Sequence, residues 1–353
     1  MLDERKIREI LGKREQALRQ HFKRPIRCLH PNASDQSCSD IIAAHSISRS
    51  RELGAIVDGN NHVGSFYPQR PTEVMSGQLE VKTIGWKEAS TFPAFCSFHD
   101  SETFRSLEVE QFTNTKQQCF LVGYRALCHE LFQKQAAVLS HDKDNVGDLS
   151  AALGLPADAL PILVQASEVL QGDTEGGLRR MHALKAELDV SLVSSSFDDW
   201  KTAAIFFEGP LTLLTTGVVT PTMSLLDNRR LQSLDATGVA LEDLMLGIVA
   251  VENGGAVILM WKKSSTIVET FVSELLTFSP RRERLNVFVQ YVFKHIENTY
   301  FSLDWWHGLP RRSLDHLHDL AYLGISQDPY RTKTRYIPNV TRIPWVVGDI
   351  IIQ

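Results

Sequence analysis

Hydrophobic and polar positions follow two periods along this chain, and the switch between them divides it. From residue 2 to about 23, Ile7, Ile10, Leu11, Ala17, Leu18 and Phe22 recur at three- and four-residue steps among Lys, Arg and Glu. That spacing predicts a helix with one apolar face and one solvated, charged face. Pro25 ends it, because proline disfavours helical backbone at the residue before it. The spacing returns over 112–140 at Phe120, Leu121, Tyr124, Leu127, Cys128, Leu131 and Phe132. It predicts a long helix, with Cys119 and Cys128 assigned to its packing. Residues 140–156 read as a break. Another helix is expected from about 158 to 192 despite the interruption at Gly172-Asp173-Thr174-Glu175-Gly176-Gly177.

Beyond residue 196 the period shortens. Ala204–Phe207, Leu211–Leu214, Leu246–Val251 and Ala256–Trp261 are short apolar runs that predict strands, and Asn253-Gly254-Gly255 predicts a hairpin between the last two. Helices are expected at about 266–277, 281–297 and 310–322, and the tail from Tyr336 to Ile352 reads as β-like. Residues 26–110 carry only short apolar pieces (Ile41–Ala44, Ala55–Val57, His62-Val63) around the turn formers Asp58-Gly59-Asn60-Asn61. A helical spacing then opens at Cys96. The expected class is α+β: an N-terminal helix over 1–25, a cysteine/histidine module over 26–110, a helical segment over 111–195 and a C-terminal mixed α+β domain over 196–353.

Composition narrows the classes. With 353 residues, 43% hydrophobic and 22% charged, the chain has an ordinary globular balance. A net charge of -5 excludes a uniformly basic surface but not a local basic groove. Met1-Leu2-Asp3-Glu4-Arg5-Lys6 has no apolar leader, and no apolar run reaches membrane-spanning length. Five cysteines at low density suit a reducing compartment. A cytoplasmic protein with no membrane partner is the expectation.

Three of those cysteines lie near histidines: Cys28, Cys38 and Ala44-His45 on one side, Cys96-Ser97-Phe98-His99-Asp100 on the other. Thiolate and imidazole are the ligands zinc prefers, and a closed structural site needs four. Cys28, Cys38, Cys96 and His99 supply four, with His30 or His45 as the alternative fourth ligand. With His99 as ligand, His45 is a spare imidazole beside the site. His316 and His318 lie two apart in a predicted helix, where they point in different directions and share no metal.

A cysteine pair, a histidine closing an apolar strand, an Asn-containing loop and a Cys-x-x-His opening a helix together resemble the HNH, or ββα-metal, nucleases. The resemblance covers about residues 26–108. It implies that His45 is the general base and that Asn61, or else Asn60, is the middle asparagine that orients it. Asp100 would be the helix ligand of a catalytic Mg2+ or Mn2+, with Cys28, Cys38, Cys96 and His99 holding a structural zinc. The implied activity is metal-dependent phosphodiester hydrolysis, with DNA the expected nucleic-acid partner. A bacterial defence or toxin effector is the expected context, by analogy. The sequence departs from the family in three places: Cys-x9-Cys instead of a compact pair, Ala44 where a second metal ligand is usual, and fifty residues between His45 and Cys96. Those departures leave open a second reading, a non-catalytic zinc module that binds nucleic acid or protein. Residues 196–353 are the expected site of a partner or of homo-oligomer contacts.

Overall fold

The computed structural model describes residues 4–67, 79–139, 145–234, 239–326 and 335–353. The N-terminal periodicity forms helix α1 (Glu4–Lys23), which buries Ile7, Ile10 and Leu11 and exposes Arg5, Arg8, Glu9 and Lys13. Four short strands follow: β1 (Ile41–His45), β2 (His62–Ser65), β3 (Lys82–Gly85) and β4 (Thr91–Cys96). Strand β4 runs directly into helix α2 (Ser97–Glu108). Strands β1 and β4 pair antiparallel, Ile41 opposite Cys96 and His45 opposite Thr91, with a bulge between Ile42 and Ala44. The expected apolar piece at Ala55–Val57 is no strand. It leaves a 3-10 turn (Leu53–Ala55) that buries Leu53 and Ile56.

Helix α3 (Lys116–Leu139) is buried along most of its length because it has neighbours on both sides. The β1–β4 hairpin and α2 cover one side, and the large sheet covers the other. Gly123 allows the close approach to the sheet, since a Cβ there would collide with Met260. Part of the expected break, residues 140–144, lies outside the described residues. The rest contains a short helix, α4 (Asn145–Ala152), whose Ala152 packs against the apolar face of α1. Helix α5 (Ala159–Ser194) continues for 36 residues through the glycine-rich stretch.

The predicted strands appear as β5 (Trp200–Glu208), β6 (Leu213–Val219), β7 (Leu244–Val251) and β8 (Gly254–Lys262). Asn253, in the left-handed region at φ 65°, turns β7 into β8. Helices α6 (Thr266–Thr277) and α7 (Glu283–His295) follow. Then come β9 (Thr299–Phe301), α8 (Leu303–His307), α9 (Arg311–Ser326) and β10 (Val346–Ile352). The large sheet is antiparallel and eight-stranded, in the order β10-β5-β8-β7-β6-β9-β2-β3. It therefore takes strands from both halves of the chain: Gly64 of β2 pairs with Phe301 of β9. Its core, with Trp261, Phe271, Phe288 and Phe301, is separate from the core beneath the hairpin, which centres on Phe92, Phe95, Phe104, Phe120 and Phe132. Among the described residues, no helix is long and apolar enough to cross a membrane.

Candidate metal centre

Cys96 is both the last residue of β4 and the N-cap of α2, where its sulfur accepts the His99 backbone N–H. That cap puts His99 one turn along, on the same side as the thiol. Cys28 arrives on an extended segment tied to β4, with Ile26 N–H donating to the Pro93 carbonyl and Leu29 N–H to Ala94. The nine residues to Cys38 close into a loop fastened by Ser34 and Ser37, whose hydroxyls lie 2.8 Å apart and each accept the other's backbone N–H. The long Cys-x9-Cys spacing is thus folded back into a compact turn.

The four ligand atoms lie within 4.8 Å of one another. The Cys28, Cys38 and Cys96 sulfurs are 3.6, 3.6 and 3.2 Å from His99 Nδ1. A tetrahedral ion with ordinary Zn–S and Zn–N bonds sets an S···N edge of roughly 3.6 Å, so the set is close to the size such an ion requires. All three cysteines are free thiols. Burial pushes the Cys28 thiol up to about 11. For Cys96, burial acts upward too, but hydrogen bonds at His99 and Ser39 outweigh it and bring the thiol down to about 6. His30, the alternative fourth ligand, instead stacks on His99 with ring centroids 4.2 Å apart.

A support from α5 was not legible in the sequence. Buried Lys185 donates to the Leu29 carbonyl at 2.7 Å and pairs with Asp189, which also accepts the Tyr124 hydroxyl. This polar chain fixes the backbone beside Cys28 to two helices.

Beside the cluster lies a second set of polar groups. His45 ends β1, half-buried, and Asp100 follows His99 on α2. Burial lowers the His45 ring and nearby Arg49 lowers it further, against a hydrogen bond at the Lys87 backbone and the charge of Glu108. His45 Nε2 is buried without a hydrogen-bond partner. Burial raises Asp100, opposed by Arg125. Both groups therefore sense Glu108 and Arg125.

Arg125 is the residue the sequence reading missed. It sits inside the apolar pattern of α3, 3% exposed, stacked over the Phe104 ring at 4.0 Å. Its guanidinium reaches Glu108 at 2.6 Å and Asp100 at 4.0 Å. A charged residue within an apolar helical stripe is rarely buried without a partner, and that was the available signal. Arg125 Nε and Glu52 Oε2 are buried without partners and line a cavity of about 30 Å³, space for one or two waters. Ser48, Thr103 and Ser106 add further buried hydroxyls without partners.

Asn61 is placed elsewhere. It lies exposed in the turn leading into β2, its N–H on the Asp58 carbonyl and its own carbonyl accepting Trp86 N–H. Asn60 N–H is held by the Asp58 carboxylate in the same turn. Neither belongs to the β1–β4 hairpin. Arg51 donates to the carbonyls of Val109 and Glu110, and the Ser46 hydroxyl donates to Ser90, so these side chains make protein contacts. His316 and His318 bond separately, to Gln290 and to the Leu79 carbonyl.

No protein-family model, curated protein or solved structure matches this chain. The class of site therefore rests on its geometry: a Cys3His cluster that could hold a metal ion such as zinc, at the junction of a hairpin and a helix.

Proposed function

We propose that the protein is a metal-dependent phosphodiesterase of the ββα-metal type, a nuclease acting on DNA, with zinc on Cys28, Cys38, Cys96 and His99. One observation carries the reading. The strand–strand–helix unit has His45 at the end of its first strand and Asp100 on its helix, each with a buried polar atom that has no hydrogen-bond partner.

His45 fits a general base. Its lowered affinity for protons keeps the ring neutral at physiological pH, and its buried Nε2, without a hydrogen-bond partner, is the nitrogen that would take a proton. In the hydrolytic step, water oxygen bonds to phosphorus while His45 Nε2 accepts its proton. The P–O bond to the leaving oxygen breaks, and that oxygen is protonated from solvent. Asp100 would hold Mg2+ or Mn2+, ions that retain several waters, and such a cation would supply positive charge to the phosphate. Arg125 acts as a positioning residue by holding Asp100 and Glu108 on one face of α2.

The test is plasmid cleavage with Mg2+ or Mn2+, together with elemental analysis. One zinc per chain, and cleavage lost in His45→Ala without loss of zinc, is the expected result. The non-catalytic module is favoured by a specific arrangement: Ala44 offers no ligand, and the Arg125 guanidinium stands beside the single carboxylate. Zinc at one per chain, nucleic-acid binding and no cleavage under any divalent ion would establish that reading instead.

A further inference from the structure

A cleft of about 3110 Å³ lies between α3, α5 and the sheet, several times the size of pockets that hold drug-sized ligands. Ala43, Thr91 and Pro93 of the β1–β4 hairpin form part of its wall, while none of the four cluster residues lines it.

The end of α7 forms a titratable corner of this cleft. His295 and Glu297 both have exposed surface, and both line the cleft. Desolvation at the cleft wall drives the Glu297 carboxyl up to about 7, with Glu130 adding to the rise, against a hydrogen bond from Tyr67 and the charge of Lys134. It drives His295 down to about 3, with Lys294 acting in the same direction.

Three kinds of group converge there. The His295 ring lies against Tyr291 with centroids 4.3 Å apart, and Tyr67 stands beside Glu297. Glu297 offers a carboxyl. Lys134, paired with Glu130 at 3.1 Å, supplies an ammonium on the facing helix. A nucleotide carries the complementary set: a flat π-face, an edge of donors and acceptors, and a phosphate.

We propose that this corner binds a nucleotide, with its base against the His295 ring, its edge on Glu297 and its phosphate toward Lys134. The nucleotide is a free one or part of a single strand. Elsewhere carboxylates interrupt the basic groups of the cleft: Arg180 pairs with Asp243, Lys262 with Glu187 and Arg19 with Glu15, while Lys23, Arg24 and Arg230 also line it, so it lacks the continuous basic lining that a duplex requires. The inference goes beyond the hydrolytic reading of His45 and does not depend on it.

The experiment is calorimetric titration of the 353-residue protein without added divalent ions. The titrants are the four ribonucleoside monophosphates, single-stranded hexamers of DNA and RNA, and a DNA duplex. Saturable binding of a monophosphate or a hexamer is expected, weakened at least tenfold by Glu297→Ala and by Lys134→Ala, with zinc content unchanged. If Glu297→Ala does not fold, His295→Ala should give the same loss. Equal affinity for monophosphates and hexamers identifies a free nucleotide, and hexamer binding alone identifies a single strand. Binding of nothing, equal binding after the substitutions, or preference for the duplex would overturn the proposal. His45→Ala should leave this binding intact, so failed cleavage and failed binding are read separately.

Discussion

The eight-stranded sheet buries Trp261, Phe271, Phe288 and Phe301 within one extended apolar cluster. The hairpin of β1 and β4 has only two strands, and its junction with α2 gathers three thiols and an imidazole. A two-stranded hairpin is marginal in water, so the hairpin needs α3 beneath it and a staple at its end. The two regions differ in how a strand can be fixed: by area removed from water in the sheet, and in the hairpin by ligand bonds once the cluster holds a metal. Near the second region lie His45, Asp100, Glu52 and Arg125, each with one buried atom that has no hydrogen-bond partner.

The largest expected effect belongs to the staple. Structural zinc contributes about 10–16 kcal/mol in zinc-finger peptides, so Cys96→Ser should eliminate bound metal. Limited proteolysis should then cut within residues 26–45 and 91–108, around β1, β4 and the start of α2, while the sheet region resists. Uniform cutting along the chain would mean that the two regions do not differ in this way. Next comes the apolar core. Phe288→Ala should cost about 3–5 kcal/mol in chemical denaturation, with metal content unchanged, because Phe288 lies in the sheet cluster.

The seam between the regions gives a pH test. Glu52 accepts the Ala250 N–H of β7, and burial raises its carboxyl from 4.5 to about 7. The folded protein holds this proton where the unfolded chain has released it. Glu52 therefore favours folding most below about pH 4.5, and its contribution falls as pH rises toward 7. Up to about 3 kcal/mol is lost across that window. Denaturation midpoints at pH 5 and 7.5 should show a slope to which Glu297 also contributes, and Glu52→Gln should reduce it by the Glu52 share. The smallest effect is expected at Ser39, whose hydroxyl accepts Phe98 N–H at the start of α2. Ser39→Ala should cost about 1 kcal/mol, as for a lost helix cap, and thermal denaturation with metal analysis would separate that cost from loss of the staple.

Much of the secondary structure was readable because local periodicity encodes it. The three-and-four spacing located α1, α3 and α5, and Asn253-Gly254-Gly255 located the β7–β8 turn. The four cluster residues were readable because Cys-x-x-His at a helix start is itself a local pattern. The Lys185 brace and the ion pairs of buried Arg125 were not readable, since each depends on a partner on another element. Asn61 shows the limit most clearly: its turn was legible, but its placement beside β2 rather than on the β1–β4 hairpin was not.

The sequence by itself determined the helical and extended periods, the thiol and imidazole ligands and the overall charge balance, because these follow from residue type and spacing. Only the tertiary structure decided that β2 and β3 leave the hairpin to join strands from the other end of the chain, that Arg125 faces Asp100, and that His295 and Glu297 line a cleft. Strand pairing and charge burial depend on which surfaces meet after the chain has closed on itself, and no short-range spacing specifies that meeting.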